Sequence, residues 1–431
     1  MRAVVLAAGG GSRMWPLATN KPKHLLPIAG EPLISYTLRA IRDCGITDVF
    51  VVIGFKGQMI QSVLGDGSSH DVRIKYLHQS DWTGTASALN VARKAVRGEP
   101  FLAMYGDLWV SPAGIQAVLE KSRECPRVMG IVRITNPSEY GLIELDKDKV
   151  KGVREKPKSR LAEGWVNTGI YVFDDSVFDA IKKTPPSKRK EYELTSSLQR
   201  LIDQGKEIRP AMVAHEDWMD LGRPWDLLEA NERALLNQQH RIKGTVEAGA
   251  TLKGPVWLED NASIKPGCYI EGPVYIGRGS KVGPNSRLRP CTSIGDDAVV
   301  GAACEIKNSI IMNGTKIPHL SYIGDSIIGE NCNIAAGTIT ANIRLDEKVL
   351  AVKVKGRLQE TGRRKLGAII GDGAQTGINV SMMPGVRVGA GSLIGPGIVV
   401  YEDVPDGYVV FGKQVTVSKR KKANHESRMR H

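Results

Sequence analysis

The second half of the chain repeats with a period of six. Val246, Leu252, Leu258, Ile264, Ile270, Ile276, Val282, Leu288, Ile294, Val300, Ile306 and Met312 follow one another at that spacing, commonly with a glycine one to three places on. A helix repeats its buried face every 3.6 residues and a half-buried strand every second residue, so neither carries this pattern. A six-residue aliphatic repeat is the sequence form of a parallel β-helix, in which short strands turn corners and stacked coils bury the repeated residue in a column. The repeat breaks after Ile317, over Pro318-His319-Leu320-Ser321-Tyr322-Ile323-Gly324-Asp325. It returns through Ile328 and Ile334, pauses over residues 342–367, and resumes at Ile370, Met382, Val388 and Ile394. Interruptions of a solenoid tend to carry function. Histidine is the side chain that ordinarily titrates nearest neutrality, so His319 in the break is a candidate general base. On the residue alone, a histidine with no catalytic role is the commoner reading.

The first half follows different rules. Short apolar runs at 3–8, 48–53, 101–105 and 128–132 alternate with helical patterns at 32–44, 58–64 and 85–96. Such alternation predicts an α/β unit, a mostly parallel sheet with helices on both faces and ligands at the carboxyl ends of the strands. The division expected is a first domain over 1–225, a linker helix over 226–243, a β-helix over 244–417 and a disordered basic tail over 418–431.

Several loops fall at the predicted strand ends. The first strand opens into Gly9-Gly10-Gly11-Ser12-Arg13, followed by a proline-punctuated loop holding Lys21, Lys23 and His24. Glycines there let backbone N–H groups approach a phosphate, and Arg13 and Lys23 add full positive charge. The string lacks the GK[ST] ending of a P-loop and the spaced third glycine of a dinucleotide-binding turn. In the next loop Gly84 permits close approach, and Thr85 is placed to cap the following helix. Asp107, after Gly106, puts a carboxylate at the end of a buried strand. Magnesium prefers oxygen ligands and keeps waters and phosphates, so one or two carboxylates suffice for it.

In full, G-x-G-S-R-x-x-P-L followed by K-P-K-x-L-x-P-I resembles the signature of the sugar-1-phosphate nucleotidylyltransferases, and further motifs match in order through residue 225 or so. The resemblance implies a Rossmann-like nucleotidyltransferase fold. It also implies attack of a sugar-phosphate oxygen on the α-phosphorus of a nucleoside triphosphate, catalysed by positioning and charge without a protein nucleophile. Arg13 and Lys23 would be catalytic. Leu6, Ala8, Gly9, Gly10, Gln79, Gly84 and Thr85 would hold the nucleotide. Gly106, Gly141, Glu155, Lys156, Asn167 and Gly169 would hold the sugar phosphate, and Asp107 with Asp220 would bind Mg2+.

The string P-H-L-S-Y-I-G-D resembles the acetyltransferase half of the bifunctional glucosamine-1-phosphate N-acetyltransferase/N-acetylglucosamine-1-phosphate uridylyltransferase family. That half is a left-handed β-helix, usually trimeric with sites between subunits. By this resemblance His319 is the base, while Arg289, Lys307, Tyr322 and Asn333 contact the sugar phosphate or its amine. Lys348 would reach toward a neighbouring site, and acetyl-CoA would lie near Ala336 and residues 371–395. The chain departs from bacterial members at I-R-L-D-E-K after Asn342 and at Gly362-Arg363-Arg364-Lys365-Leu366-Gly367. It looks more like the archaeal bifunctional enzymes, which leaves glucosamine against galactosamine open.

A net charge of +13 is compatible with nucleic acid, a membrane surface or phosphorylated small molecules. An aromatic content of 6%, with no RNP or helix-turn-helix string, favours the last, with neither nucleic acid nor membrane as partner. The six cysteines form no C-x-x-C pair, and no run approaches roughly 18 apolar residues, so a reduced cytoplasmic protein is expected. The expected function is two reactions, with acetyl-CoA and UTP (or dTTP) as co-substrates. The rivals are a monofunctional nucleotidylyltransferase whose β-helix only trimerises, and a regulatory subunit with a dead site.

Overall fold

The computed structural model describes residues 1–81, 83–137, 140–155, 162–187 and 190–413; Lys156 and the tail over 418–431 lie outside the described residues. Residues Arg2–Ala7 form the central strand of a nine-stranded sheet, parallel to Asp48–Ile53 on one side and Phe101–Tyr105 on the other. Arg73–His78 extends the parallel block beyond Asp48–Ile53. The long strand Glu163–Phe173 joins Phe101–Tyr105 antiparallel and carries the remaining strands. Ala3, Val5 and Ala7 pack into one apolar cluster with Ile34, Leu38, Ile115 and Val118 from helices on one face. Val4, Leu6 and Ala8 pack into another with Leu89, Phe178, Leu194 and Leu198 from helices on the opposite face. Period-two alternation in a run apolar throughout is what burial on both faces requires.

From Arg241 on, the chain winds into a parallel β-helix of three sheets, one strand per sheet per coil. Leu258, Ile276, Ile294, Ile311, Ile328, Ile370 and Val388 form one buried column, stacked by the parallel pairings of the first sheet. The columns of the other two sheets complete a single core. Two readings of the repeat are corrected. Met312 is not in the column. The spacing shortens after Ile306, so that Ile311 takes the inward place, and Met312 packs in the cluster between the two domains. The solenoid also does not break after Ile317: Ile317, Ile323, Ile328 and Ile334 are consecutive column residues. The pattern is obscured because the coil is one residue shorter there, with Ile294 paired to Ile311 and Ile311 to Ile328. Two column positions are threonines, Thr340 and Thr376, whose hydroxyls accept from Gly324 N (2.9 Å) and Ala335 N (2.9 Å). The true interruption is 342–367, which forms the hairpin Ala351–Val354/Arg357–Glu360.

The expected linker is a structural staple. Helix Asp226–Leu236 contributes Leu227, Leu228 and Leu235 to a cluster that also holds Met14, Leu17 and Leu26 of the first domain and Tyr275, Ile310 and Ile327 of the β-helix. Asn231, fully buried, accepts from Ala29 N (2.9 Å) and Ser293 Oγ (2.7 Å) and donates to Cys291 O (2.9 Å). A buried amide with its polar atoms satisfied by both domains fixes their register. Among the described residues, no helix is long and apolar enough to cross a membrane, and all six cysteines are free.

Candidate active sites

The carboxyl ends of the central strands place the first site. Gly11 turns the chain at φ 66°, and a Cβ there would press to 3.2 Å on the Lys23 side chain. A Cβ on Gly9 would meet nothing within 4 Å, so the outer side of the turn is open. Leu6 and Ala8 are buried beneath it, and Leu6 O accepts from Gly106 N (2.9 Å). Gly106 sits where its own Cβ would crowd Leu6 O at 3.2 Å. Lys23 pairs with Asp107, which is buried. The two-stranded ribbon of Leu108–Val110 and Trp218–Asp220 sets Asp220 opposite Leu108, and Leu221 N donates to Asp107 O (3.1 Å). The two aspartates suggested from sequence are thus neighbours, although 113 residues separate them. The Arg13 guanidinium lies against Gly222, where a Cβ would come within 3.1 Å of it.

Burial and neighbouring charge shift the titration of several groups here. Burial alone would raise Asp107, but the charges of Lys23 and Arg13 and the Lys23 hydrogen bond outweigh it and hold the carboxyl low. Burial, then the charge of Asp107, pushes Asp220 up. Arg13 resists burial because Asp220, Asp107 and Asp226 surround it, and its pKa rises. Asp226 is pushed up to about 7 by burial, with Arg223 opposing and Asp220 adding to the shift. His24 is pushed down to about 3 by burial and by Lys23, so it stays neutral and serves as no base. Asp226 and the partly buried Tyr140, edge-on to Trp218 at 6.1 Å, belong to this site and carry no spacing signal that would have found them.

The flanking residues are engaged as follows. Gln79 is buried and donates to Ser87 Oγ (2.7 Å) and Gly84 O (3.3 Å). Gly84 adopts φ 124° with its Cα wedged against the Tyr192 backbone, where a Cβ would lie 2.5 Å from Tyr192 O. Thr85 does not cap its own helix: its hydroxyl accepts from Leu194 N (3.0 Å). The Tyr192 main chain runs beside the helix start and takes the Ala86 N–H (2.8 Å), which removes the need for a side-chain cap. The expected helix over 85–96 is two, Thr85–Val91 and Arg93–Val96, parted at Ala92. Gly141 and Glu155 face each other across an antiparallel pair. Asn167 donates to Tyr171 Oη (2.5 Å) and accepts from Gly169 N (3.0 Å). Gly169, at φ 80°, leaves room for the Tyr105 ring that a Cβ would strike at 2.3 Å.

On the β-helix, Arg289, Lys307 and Tyr322 project from the outer surface of one sheet, since Leu288, Ile306 and Ile323 between them point inward. Arg289 pairs with Glu305 (3.1 Å) and Lys307 with Asp325 (3.1 Å). Asp325 is buried and also accepts from Asn308 (2.8 Å) and Asn342 (2.5 Å), while Asn342 donates to Tyr322 Oη (3.3 Å). His319 is exposed at the corner entering this sheet, at the end of Lys316–His319. Asn333 pairs with Lys316 one coil on, which places Ala336 at the same corner. Among the described residues, no hydrogen bond or ion pair joins His319 to Arg289, Lys307 or Tyr322. Lys348 is exposed on the inserted segment. Asp325 and Asn342, which organise this surface, were in view in the sequence but had no role there, because a buried acceptor is recognised only by what converges on it.

Residues 2–237 match the family described as nucleotidyl transferase, and residues 270–358 match the GMPPB C-terminal domain. The bifunctional protein GlmU of Methanococcus vannielii is 39% identical over 98% of this chain and 100% of its own length. The protein of the same name from Methanocaldococcus jannaschii is 39% identical, again over 98% of this chain and 100% of its own. The bifunctional sugar-1-phosphate nucleotidylyltransferase/acetyltransferase of Sulfurisphaera tokodaii is 40% identical over 96% of this chain and 100% of its own. The chain belongs to the nucleotidyl transferase family, and within it to the bifunctional enzymes that join a nucleotidylyltransferase to an acetyltransferase in one chain.

Proposed function

We propose that the β-helix acetylates glucosamine 1-phosphate with acetyl-CoA, and that the N-terminal sheet then transfers uridylyl from UTP to the N-acetylglucosamine 1-phosphate, giving UDP-N-acetylglucosamine and pyrophosphate. The observation that carries this reading is the gathering of Arg13, Lys23, Asp107 and Asp220 at the strand ends of one domain, in a chain whose other domain presents Arg289, Lys307 and Tyr322 beside His319.

In the first domain the open side of Gly9 and Gly10 receives the triphosphate. Arg13 and Lys23 offset the charge that grows as the sugar-phosphate oxygen bonds to the α-phosphorus and the bond to pyrophosphate breaks. Gln79, Gly84 and Thr85 form the base side, and Gly106, Gly141, Glu155, Lys156, Asn167 and Gly169 the sugar side. Two neighbouring carboxylates, with Asp220 pushed up by desolvation and then by the charge of Asp107, are a donor set that a hard divalent cation suits. Asp107 and Asp220 would hold Mg2+, which when bound supplies charge neutralisation at the phosphates.

In the second domain Arg289, Lys307, Tyr322 and Asn333 hold the sugar phosphate. His319 takes a proton from the amine as its nitrogen bonds to the thioester carbonyl carbon; the C–S bond breaks, and the departing sulfur takes that proton from His319, so the coenzyme leaves as its thiol. Acetyl-CoA lies along the coils from Ala336 through 371–395. Assembly is a homotrimer through the β-helix, with Lys348 directed to a neighbour's site, and the setting is the cytoplasm, in keeping with free thiols.

The test is thiol release from acetyl-CoA with glucosamine 1-phosphate, galactosamine 1-phosphate or no acceptor, alongside pyrophosphate release with UTP or dTTP. Acceptor-dependent thiol release is expected. Pyrophosphate release without it would reduce the β-helix to a scaffold, and neither product would indicate a regulatory subunit.

A further inference from the structure

The segment carrying the cations of the nucleotidyl site is not held by its own domain alone. Residues 9–25 include Arg13 and Lys23 and contain only two single turns of helix, Ser12–Met14 and Lys23–Leu25. Regular hydrogen bonding therefore does little to fix where either cation points. Between those turns the β-helix grips the chain at three places. Lys21 is 4% exposed, with its ammonium 2.6 Å from Glu330 Oε1 and 3.3 Å from Asp372 Oδ2. Trp15 Nε1 donates to Asp406 (3.1 Å), and the Arg387 guanidinium lies 4.7 Å over the Trp15 ring. Pro16 is seated on the coil backbone at Gly371, where a Cβ would come within 3.1 Å of it. The β-helix side is itself braced, since Glu330 N donates to Asp372 Oδ1 (2.9 Å) and Asp403 accepts from Arg387 N (2.9 Å).

We propose that Glu330, acting through Lys21, is a positioning residue for nucleotidyl transfer, so that the β-helix sets the placement of Arg13 and Lys23. A buried ammonium that leaves its carboxylates loses a compensated charge, and this resists any swing of the loop. Charge stabilisation in phosphoryl chemistry depends on sub-ångström placement, and loss of placement lowers kcat more than binding. The inference rests on reading the first site as a nucleotidyltransferase, and its test includes a readout that does not need that reading.

The full-length variants are Lys21→Met, Glu330→Gln and the double substitution. The readouts are pyrophosphate release, thiol release, and hydrogen exchange of peptides spanning residues 9–25. Each single substitution is expected to lower kcat for pyrophosphate release about tenfold, with KM for the sugar phosphate changed by less than about twofold. The double variant should be no worse than Lys21→Met, because both act through one contact. Thiol release should be retained, and exchange should quicken in 9–25 while the central strands keep their protection. Unchanged kcat and exchange in folded variants would overturn the proposal, as would equal loss of both activities. If the unmodified protein releases no pyrophosphate, the functional reading fails and exchange alone decides: quickened 9–25 peptides uphold the clamp and unchanged ones refute it. Should Lys21→Met not fold, Asp406→Asn must shift kcat and exchange in the same direction by about threefold, the scale of one hydrogen bond, or the clamp is refuted.

Discussion

The two candidate sites are built in opposite ways. The N-terminal one is a compact knot of charge to which Arg13, Lys23, Asp107, Asp220 and Asp226 arrive from separate segments, and in which burial and neighbouring charge shift the titration of Arg13 and the three aspartates. The β-helix one is a surface display, with side chains standing on the outer face of one sheet over successive coils of a periodic lattice. In the first, tertiary structure creates the site and each residue depends on its neighbours. In the second, the repeat supplies the frame, and only Asp325 draws several side chains to one point.

That contrast can be broken most directly by removing one cation from the knot. Lys23→Ala should lower kcat for pyrophosphate release by about 10³, since it removes a transition-state charge and leaves Asp107 buried without its partner, while thiol release stays as it was. Steady-state assays of both products check this. His319→Ala should lower thiol release by about 10² or more and leave pyrophosphate release intact, because an exposed side chain on a stable coil can be removed without disturbing the lattice. Equal loss of both activities in either variant would show that the sites are not separate.

Stability sharpens the comparison further. Ile306→Ala opens a cavity in the column and should cost about 2–5 kcal/mol, read as a lower denaturation midpoint of the β-helix. The effect that accrues most gradually is one of pH. His24 is held neutral to about pH 3 when folded but takes up a proton near 6.5 when unfolded. The unfolded chain therefore binds more protons between those values, and stability falls as pH drops from 6.5 toward 3, by about 1.4 kcal/mol per unit from this group. His24→Gln should flatten that part of a stability-against-pH curve measured by denaturant titration.

The fold was largely legible in the chain. The six-residue period names a parallel β-helix because no other regular structure buries every sixth residue, and the apolar runs name a sheet covered on both faces. The signature string carries Arg13, Lys23 and the glycine turn on consecutive loops, so local order sufficed to read them. Where the pattern misled, a coil one residue shorter shifted the register at Met312, and threonine hydroxyls replaced aliphatic residues in the column at Thr340 and Thr376. Thr85 was misjudged because the strand of chain that satisfies its helix lies more than a hundred residues away. Period, turn and charge type are properties of neighbouring residues, and the sequence by itself determined them. The meeting of Asp107 with Asp220, the convergence on Asp325 and the seating of Lys21 between Glu330 and Asp372 were decided only by the tertiary structure. Burial and long-range Coulomb interaction depend on distance in space, which local sequence order does not record.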